Sequence, residues 1–430
     1  MGSEMCIRDR LKHYLGPPYG DYDYRHLDEA YAVYYKKGRN HLSMRTAGEI
    51  LSKMSRGELI SARASEQMLE RFLVPEKDRV LVRPERMLAA TKAIFEKCGQ
   101  SSTDAALSAE VLLTSDLRGC ESHGVSNQLR VYVQMYGDQE INPVPNVQIT
   151  RETDVTANLD GDTGLGLHVL PKAMEIAIDK ADKHGMGAVT VHNSRHIGML
   201  AYHSMMPLKY DMIGITTSAG NPLSMVPTHA SEKLFATNPW AWAAPARNEA
   251  PFVFDVATTQ VAGNKLRLAE RIGAPMDPAW ISDTDGVPIM NETHLPDDYH
   301  ILPFGGTREQ GSHKGYGFAA MAEIMAPILS GMGAGMFMPP VPRTVMGHYV
   351  QAVKIDGFID TNQFKDDMDR FLKRLRTSKP ASGEKRVVYA GLPEAEEVEI
   401  RQREGIPYHK EVIGWFESIK AELQLDFELV

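Results

Sequence analysis

Short β-branched runs alternate with longer amphipathic segments from residue 150 onward, and this alternation constrains the fold more than any other feature of the sequence. Val155–Leu159 predicts a strand, Asp160–Gly166 a glycine-rich turn, and Val169–Lys183 a helix that Gly185 ends. A second strand, Gly187–Val191, follows directly. Strands that alternate with helices in this way predict an α/β fold.

The next strands are less regularly separated by helices. After a helix at Met199–Leu208, the sequence predicts strands at Ile213–Thr217, Trp240–Ala244 and Phe252–Phe254, and then a helix at Val261–Arg271. Because several of these strands have no helix between them, we expect a central sheet that is largely antiparallel or mixed.

Helical patterns dominate the segments on either side of the predicted sheet. Pro84 suits the first position of a helix that Gly99 ends, and Ser101–Asp104 offers a cap for the next helix. Later helices are predicted around Phe318–Leu329, Phe364–Leu375 and Glu411–Leu423. We therefore predict that both chain ends build one helical domain beside the central sheet domain.

These patterns divide the chain into four parts. Residues 1–10 (MGSEMCIRDR) resemble translated sequencing-adapter sequence, and we interpret them as a sequencing artefact. Residues 11–80 predict an N-terminal extension without recognisable chemistry. Residues 81–150 predict the helical domain, which they share with residues 345–430, and residues 151–344 predict the central domain that holds the functional site.

The composition narrows the possible partners. A net charge of −9 over 430 residues argues against duplex nucleic acid and anionic membrane surfaces, because phosphate binding needs a basic face. Three cysteines are too few for a disulfide framework, and Cys98 and Cys120 are typical of reduced cytosolic thiols. The uncharged stretch from Ile324 to Pro342 approaches the length of a membrane span, but its glycines and prolines favour a buried helix that runs into a loop. We predict a soluble, cytoplasmic protein.

Two glycine-rich segments invite comparison with phosphate-binding loops. Gly161–Gly166 (GDTGLG) joins a predicted strand to a helix, but its spacing is not G-x-G-x-x-G, and we interpret it as a tight turn. Gly306 and Gly311 have the separation found in a P-loop, but SHK follows them in place of Lys-Ser/Thr. Lys314, between glycines at the entrance to a helix, remains a candidate for contact with a phosphate.

Two histidines are candidates for proton transfer. His196 follows a predicted strand at its carboxyl end, where α/β proteins place ligands, and imidazole commonly takes a hydroxyl proton near neutral pH. His192, four residues earlier, could join it in ligating zinc, but the segment contains no HExxH glutamate and we predict no metal site. His123 lies beside Ser122, with Arg118 and Arg130 nearby, and could handle a carboxylate substrate.

Taken together, these segments resemble the type-2 malate/L-lactate dehydrogenase family of NAD(P)-dependent oxidoreductases, whose fold differs from that of the Rossmann-type lactate dehydrogenases. The resemblance runs from about Val80 to the C-terminal helix. It rests on eight motifs in order, DLRGCESHGV (116–125), INPVPN (141–146), LDGDTGLG (159–166), NSRHIGM (193–199), ATNPWAWAAPA (236–246), PFVFDVATT (251–259), SHKGYGFAAM (312–321) and VVYAGLPE (387–394).

The resemblance implies a homodimer, a central domain that binds NAD or NADP without the G-x-G-x-x-G fingerprint, and a helical domain from both chain ends. His196 and His123 match the two active-site histidines, and which of them transfers the proton stays open. The implied cofactor contacts are Asp255, Val256, Ala257, Lys314, Gly315 and Gly391.

Two departures from the family pattern affect the site. Asn127 occupies the position where many members have an arginine after SHGV, so Arg130 becomes a candidate for carboxylate binding together with Arg118 and Ser122. Leu392 stands where the family usually has a glutamate after the glycine, which weakens the expected C-terminal contact with the cofactor.

The implied reaction is hydride transfer between a nicotinamide cofactor and C2 of a small 2-hydroxy acid or 2-oxo acid such as malate or lactate. Reduction of a cyclic imine (ketimine) on the same fold is an alternative. Hydrolysis at a metal held by His192 and His196 is a less favoured alternative, as is a non-catalytic protein that senses the cofactor.

Overall fold

The structure, a computed structural model, describes residues 79–272, 275–339 and 344–429. The predictions for residues 1–78 lie outside these ranges. Within them, residues up to 379 and from 386 onward group into one unit.

The strands of this unit are, in chain order, β1 Arg79–Val82, β2 Gln148–Glu152, β3 Thr156–Asp160, β4 Met186–Ser194, β5 Met212–Gly220, β6 Trp240–Ala244, β7 Phe252–Val256, β8 Ile281–Ser282, β9 His300–Ile301, β10 Met346–Lys354 and β11 Ile406–His409.

Helices occupy the positions between and beyond these strands. They are α1 Pro84–Lys97, α2 Ser102–Leu117, α3 Val125–Gly137, α4 Gly166–His184, α5 Leu200–Met205, α6 Gly263–Ile272, α7 Ser312–Glu323, α8 Thr361–Arg376, α9 Leu392–Glu404 and α10 Lys410–Glu422. Local signals set several of these boundaries. The Ser101 hydroxyl accepts a hydrogen bond from the Asp104 N–H at the start of α2, and Gly185 ends α4 with a left-handed φ of 87°.

Seven strands form one mixed sheet in the order β2-β3-β4-β10-β5-β6-β7. Only the β3–β4 pair is parallel, and the other neighbours in this sheet are antiparallel. The crossover between β3 and β4 is α4, which packs its apolar face against the sheet. The predicted α/β class with a largely antiparallel or mixed central sheet is therefore confirmed.

The helical layer is also built as the sequence predicts, from both ends of the described chain. Its core combines apolar residues of α1, α2 and α3 with residues of β11 and α10, such as Phe95, Leu112, Leu129, Ile406 and Phe416. Strand β1 pairs antiparallel with β11, and this pairing joins the two ends. The sheet core is a separate cluster that lies mainly between α4 and the central strands.

The position of β10 differs from the sequence prediction. We placed residues 345–430 with the helical domain, but Met346–Lys354 is the middle strand of the sheet, between β4 and β5. Most of its side chains are buried on both faces, so the segment has no alternation of apolar and polar residues by which to recognise a strand.

The uncharged stretch after residue 323 does run from a helix into a loop, but its helical part is buried on one side only, at Ala326 and Pro327. A short π-helical turn, Ile324–Ile328, extends α7, and Ile324, Ile328 and Leu329 are about half exposed. Among the described residues, the structure has no helix with both the length and the apolar character of a membrane span.

Candidate active site

The GDTGLG segment supports the loop that carries His196. It forms the tight turn between β3 and α4, as the sequence predicts, and its backbone bonds to residues at the end of β4. The N–H groups of Gly161 and Thr163 donate to the carbonyl oxygens of His192 and Asn193, at 2.9 and 2.8 Å. A Cβ at Gly166 would lie 2.5 Å from the Arg195 carbonyl oxygen, so only glycine permits this close approach.

His196 lies in the irregular segment between β4 and α5 and is held through Nδ1. The Tyr132 hydroxyl lies 2.6 Å from Nδ1, and the Gly198 N–H donates to the same atom at 3.2 Å. The structure gives Nε2 no partner among the described residues, and the side chain is partly exposed. Burial of the ring and the nearby His123 lower the pKa of His196 to about 3, so the ring is neutral at pH 7.

His123 stacks on His196 from the helical side. The two ring centroids are 5.6 Å apart with an interplanar angle of 15°. His123 belongs to the single 3-10 turn Glu121–His123, and the Ser122 hydroxyl lies 2.9 Å from its Nδ1. Burial lowers the pKa of this imidazole as well. The structure thus brings the two candidate histidines and Ser122 together.

A buried carboxylate holds the turn that carries His123. Asp116 accepts hydrogen bonds from the Val125 N–H, at the first residue of α3, and from the Tyr408 hydroxyl, both at 2.9 Å. Arg401 of α9 donates to the Asp116 carbonyl oxygen at 2.7 Å and to Glu121 at 3.1 Å. Burial is the main cause that raises the pKa of Asp116 to about 7.

Of the candidate cations, Arg118 is the one that the structure buries beside this turn. Its side chain is 7% exposed, and its Nε has no hydrogen-bond partner among the described residues. Asp255 and Glu394 are its acidic neighbours. An enclosed guanidinium with an unpartnered N–H suits a carboxylate or phosphate ligand.

Arg130 and Arg195 lie in other settings. Arg130 is exposed on α3, two residues from Tyr132 and therefore on the opposite face of that helix from the His196 contact. Arg195 is buried and donates to the carbonyl oxygens of Glu140 and Ser194, so its role in this chain is to hold the backbone.

The candidate cofactor residues meet along the edge strand β7. Asp255 accepts a hydrogen bond from the Ala201 N–H at 2.7 Å and so caps α5. Its surface opens to solvent on one side, yet the surrounding protein displaces enough water to raise the pKa of the carboxyl to about 6. Gly391, with a φ of +95°, begins α9 against Val253, and a Cβ there would lie 2.8 Å from the Val253 nitrogen.

Lys314 and Gly315 lie close to the end of strand β7, and Phe304 packs between the two segments. Phe304 donates its N–H to the carbonyl oxygen of Thr258, which follows Ala257, and packs against Gly315 at the start of α7. A Cβ at Gly315 would lie 2.5 Å from the Phe304 carbonyl oxygen. The Lys314 side chain is exposed at the first turn of α7.

His192 and His196, the two candidate zinc ligands, have different partners in the structure. His192 lies 4.0 Å from Asp160, whereas His196 is bonded to Tyr132 and Gly198. Within residues 79–272, 275–339 and 344–429, the structure has no group of three His, Cys, Asp or Glu side chains that could hold a metal ion.

Sequence reasoning did not identify Tyr132 or Asp116 as part of the site. Tyr132 is 64 positions from His196, and its contact depends on how α3 packs against the sheet. Asp116 opens the DLRGCESHGV motif, and a buried acid before a turn was the available signal.

Comparisons with known proteins agree with this architecture. Residues 82–416 match the family model described as malate/L-lactate dehydrogenase, and this span includes both histidines and every candidate cofactor residue. The malate dehydrogenase of Pyrococcus abyssi is 34% identical over 358 residues, which cover 82% of this chain and 97% of that protein.

Solved structures show the same fold. The malate dehydrogenase of Entamoeba histolytica superposes with a TM-score of 0.77 at 28% identity and covers 82% of this chain and 100% of its own. The sulfolactate dehydrogenase of Methanocaldococcus jannaschii has a TM-score of 0.73 at 32% identity and covers 81% and 98%.

Proposed function

Because the chain belongs to the malate/L-lactate dehydrogenase family and is an oxidoreductase of 2-hydroxy acids, we propose that His196 is the group that exchanges the substrate hydroxyl proton. The observation that carries this proposal is the Tyr132 hydroxyl 2.6 Å from Nδ1, which leaves Nε2 as the reactive nitrogen. His123, stacked on the same ring, is the second candidate.

The residues present fit a nicotinamide dinucleotide, NAD or NADP. Gly391 packs too closely against the Val253 backbone for any side chain, and the buried Arg118, whose Nε is unpartnered among the described residues, has Asp255 as a neighbour. The cofactor would be held by Asp255–Ala257, Lys314–Gly315 and Gly391. Its chemistry is to accept hydride from C2 of the hydroxy acid or to return it to the oxo acid.

Tyr132 determines which nitrogen of His196 can act as a base. In the tautomer that the Gly198 N–H favours, Nδ1 accepts and Nε2 carries the proton, so Nε2 can donate to the carbonyl oxygen of a 2-oxo acid. To accept the hydroxyl proton of a 2-hydroxy acid, the neutral ring takes the other tautomer, in which Nδ1 donates to the Tyr132 oxygen and the 3.2 Å contact with Gly198 is lost. Burial raises the pKa of Tyr132, so its hydroxyl keeps its own proton throughout. The low pKa of His196 favours the neutral ring that oxidation of a hydroxy acid requires.

The substrate carboxylate needs a cation, and we assign this role to Arg118. A guanidinium can bind a carboxylate through two parallel hydrogen bonds, and burial strengthens them. Ser122 completes this side of the site by orienting His123. Arg130, exposed on the far face of α3, is the alternative cation.

We also propose that the protein is a homodimer. The outer face of α7 and its π-helical extension presents a stripe of apolar side chains that are about half exposed, Phe318, Met321, Ile324, Ile328 and Leu329. A contiguous apolar stripe of this kind is typical of a subunit interface. Light scattering of the wild type and of Ile324→Glu tests this assignment, and a wild type that is monomeric at micromolar concentration would contradict it.

An absorbance assay at 340 nm tests the reaction. NADH and NADPH are each supplied with a panel of 2-oxo acids, including oxaloacetate, pyruvate and sulfopyruvate, and with a cyclic ketimine carboxylate. We expect oxidation of the cofactor with at least one oxo acid and recovery of the 2-hydroxy acid. Turnover of the ketimine alone, with an amine product, would contradict the proposal and favour imine reduction.

A further inference from the structure

Two fully buried histidines lie next to the loop that carries His196. His203 belongs to the short helix α5, and His348 belongs to the central strand β10. Both side chains are 0% exposed. Neither residue has a place in the hydride-transfer scheme above, and a buried imidazole with a hydrogen-bonding function must be satisfied by specific partners.

Each imidazole bonds to a peptide carbonyl beside His196. His203 Nε2 lies 2.9 Å from the Ile197 carbonyl oxygen, and His348 Nε2 lies 3.2 Å from the Arg195 carbonyl oxygen. A carbonyl oxygen can only accept, so both rings carry a proton on Nε2. The Ser218 hydroxyl, 2.8 Å from Nδ1 of His348, then donates to that ring.

The two carbonyls have no regular secondary structure to satisfy them. Strand β4 ends at Ser194 and α5 begins at Leu200, so residues 195–199 lie outside the sheet and helix ladders. A buried carbonyl without a donor is costly, and the loop would rotate to find one. The two imidazoles supply these donors on the residues immediately before and after His196.

We propose that His203 and His348 are positioning residues that clamp the peptide carbonyls of Arg195 and Ile197 and thereby hold His196 in line with the substrate. The inference rests on the proposed role of His196 in proton transfer. The clamp acts on the backbone, whereas Tyr132 and Gly198 act on the ring. Together they fix both the position of the His196 Cα and the orientation of its imidazole.

His203 offers a sharp test because its Nδ1 has no partner in the described structure. In His203→Gln the amide nitrogen replaces Nε2 as the donor, while the unpartnered Nδ1 and the edge contact of the ring with Tyr202 are lost. In His203→Asn the shorter side chain cannot reach the Ile197 carbonyl oxygen. We expect kcat to fall about 10- to 100-fold in His203→Asn, with a smaller change in KM, and to be largely retained in His203→Gln.

His168 provides a matched control in another part of the core. It is also 0% exposed, but its partner, the Ser108 hydroxyl, lies 3.2 Å from Nδ1, and its Nε2 has no partner. The same exchanges at His168 therefore change a buried imidazole that has no bond to the carbonyls of Arg195 and Ile197, and kcat should fall much less than in His203→Asn in every His168 variant that folds. An equal loss of kcat in the His168 and His203 variants would overturn the clamp.

Nitrogen-15 NMR of labelled histidines tests the clamp without any activity measurement. Resonances assigned with His203→Gln and His348→Gln should report neutral rings with the proton on Nε2 at pH 7. A proton on Nδ1 of either ring would overturn the proposal, even if His203→Asn fails to fold. If the wild type shows no dehydrogenase activity with any substrate, the proposed function fails, and the NMR result still decides whether the clamp exists.

Discussion

The two histidines at the site are held in different ways. His196 is held by neutral hydrogen bonds, from Tyr132 of α3 and from Gly198 to its ring, and from the adjacent buried imidazoles to its backbone. His123 is fixed from the helical side through Asp116, whose partners Arg401 and Tyr408 lie 285 and 292 positions away in the chain. The first arrangement uses neutral groups alone, whereas the second includes the Asp116 carboxyl group and the ion pair between Arg401 and Glu121.

This difference suits the two proposed roles. Proton transfer requires one orientation of the His196 ring, whereas substrate binding requires the His123 turn to stay in position. Neutral hydrogen bonds orient the His196 ring and do not depend on salt. The buried Asp116 carboxyl group can hold the His123 turn firmly, but its contribution varies with its protonation. The predictions below test the contrast, from the largest expected effect to the smallest.

The largest expected effect concerns which of the two histidines, His196 or His123, transfers the proton. His196→Gln should lower kcat about 10²- to 10⁴-fold, the usual contribution of a general acid/base, with little change in cofactor affinity. His123→Gln should act more on KM for the carboxylate substrate. Steady-state kinetics and cofactor binding by fluorescence measure both. The opposite result, with the greater loss of kcat in His123→Gln, would exchange the two roles.

Substitution of Gly124 tests how closely Asp116 packs against the turn that carries His123. A Cβ at this position would lie 1.8 Å from Asp116 Oδ1, so Gly124→Ala should lower the free energy of unfolding by about 1–3 kcal/mol or more. Gly137, at the end of the same helix, has nothing within 4 Å of an added Cβ, and Gly137→Ala should raise stability by about 0.5–1 kcal/mol. Urea denaturation measures both, and equal effects would contradict the packing described.

Tyr132→Phe tests the neutral side of the contrast. The variant loses the hydroxyl that accepts the Nδ1 proton in the tautomer proposed for the base, so kcat for hydroxy acid oxidation should fall about 5- to 10-fold, as expected for one hydrogen bond. Tyr136, one turn along α3, makes a bond of the same 2.6 Å length to Gln100. Tyr136→Phe should therefore leave kcat unchanged, and a similar loss in both variants would assign the effect to helix packing.

The pH dependence of stability tests the role of the Asp116 carboxyl group beside the His123 turn. The pKa of Asp116 is raised to about 7 by burial and by Glu121, against the opposing effects of the Val125 N–H, Tyr408 and Arg401, whereas an unfolded aspartate titrates near 3.9. Between these values the folded state binds more protons, so the contribution of Asp116 to stability decreases as the pH rises from about 4 to 7.

Asp116→Asn removes this titration. The melting temperature of the variant minus that of the wild type should rise between pH 5 and pH 7 and stay level above pH 8. Scanning calorimetry measures the difference. A constant difference across this range would show that Asp116 is ionised in the folded chain throughout.

The sequence predicted those parts of the fold whose signals are local. Pro84 and Ser101 mark helix starts, Gly185 marks a helix end, and the turn after β3 is as expected. The central strand β10 was missed because it is buried on both faces, and α3 was missed although its apolar positions face the helical core. Tyr132 in that helix was therefore missed as well.

The candidate site could be predicted only as a set of segments. Motif resemblance selected His123, His196, Asp255 and Gly391, and the structure brings their segments together. The motif resemblance did not indicate that Asp255 caps α5 or that Arg130 lies on the face of α3 away from His196. Both features depend on packing between elements that are distant in sequence. Contacts across tens or hundreds of positions leave no periodic trace in the chain.

The pairing of β1 with β11 has a consequence for how the protein is made on the ribosome. The helices of residues 84–137 emerge early, but their core needs Ile406, Tyr408 and Phe416, and Asp116 needs Arg401. At roughly 5–20 residues per second, translation leaves that half-built core waiting on the order of tens of seconds. The sheet around His196 closes earlier, at β10, so the nascent chain completes the surroundings of the His196 loop before it completes the helical core beside His123.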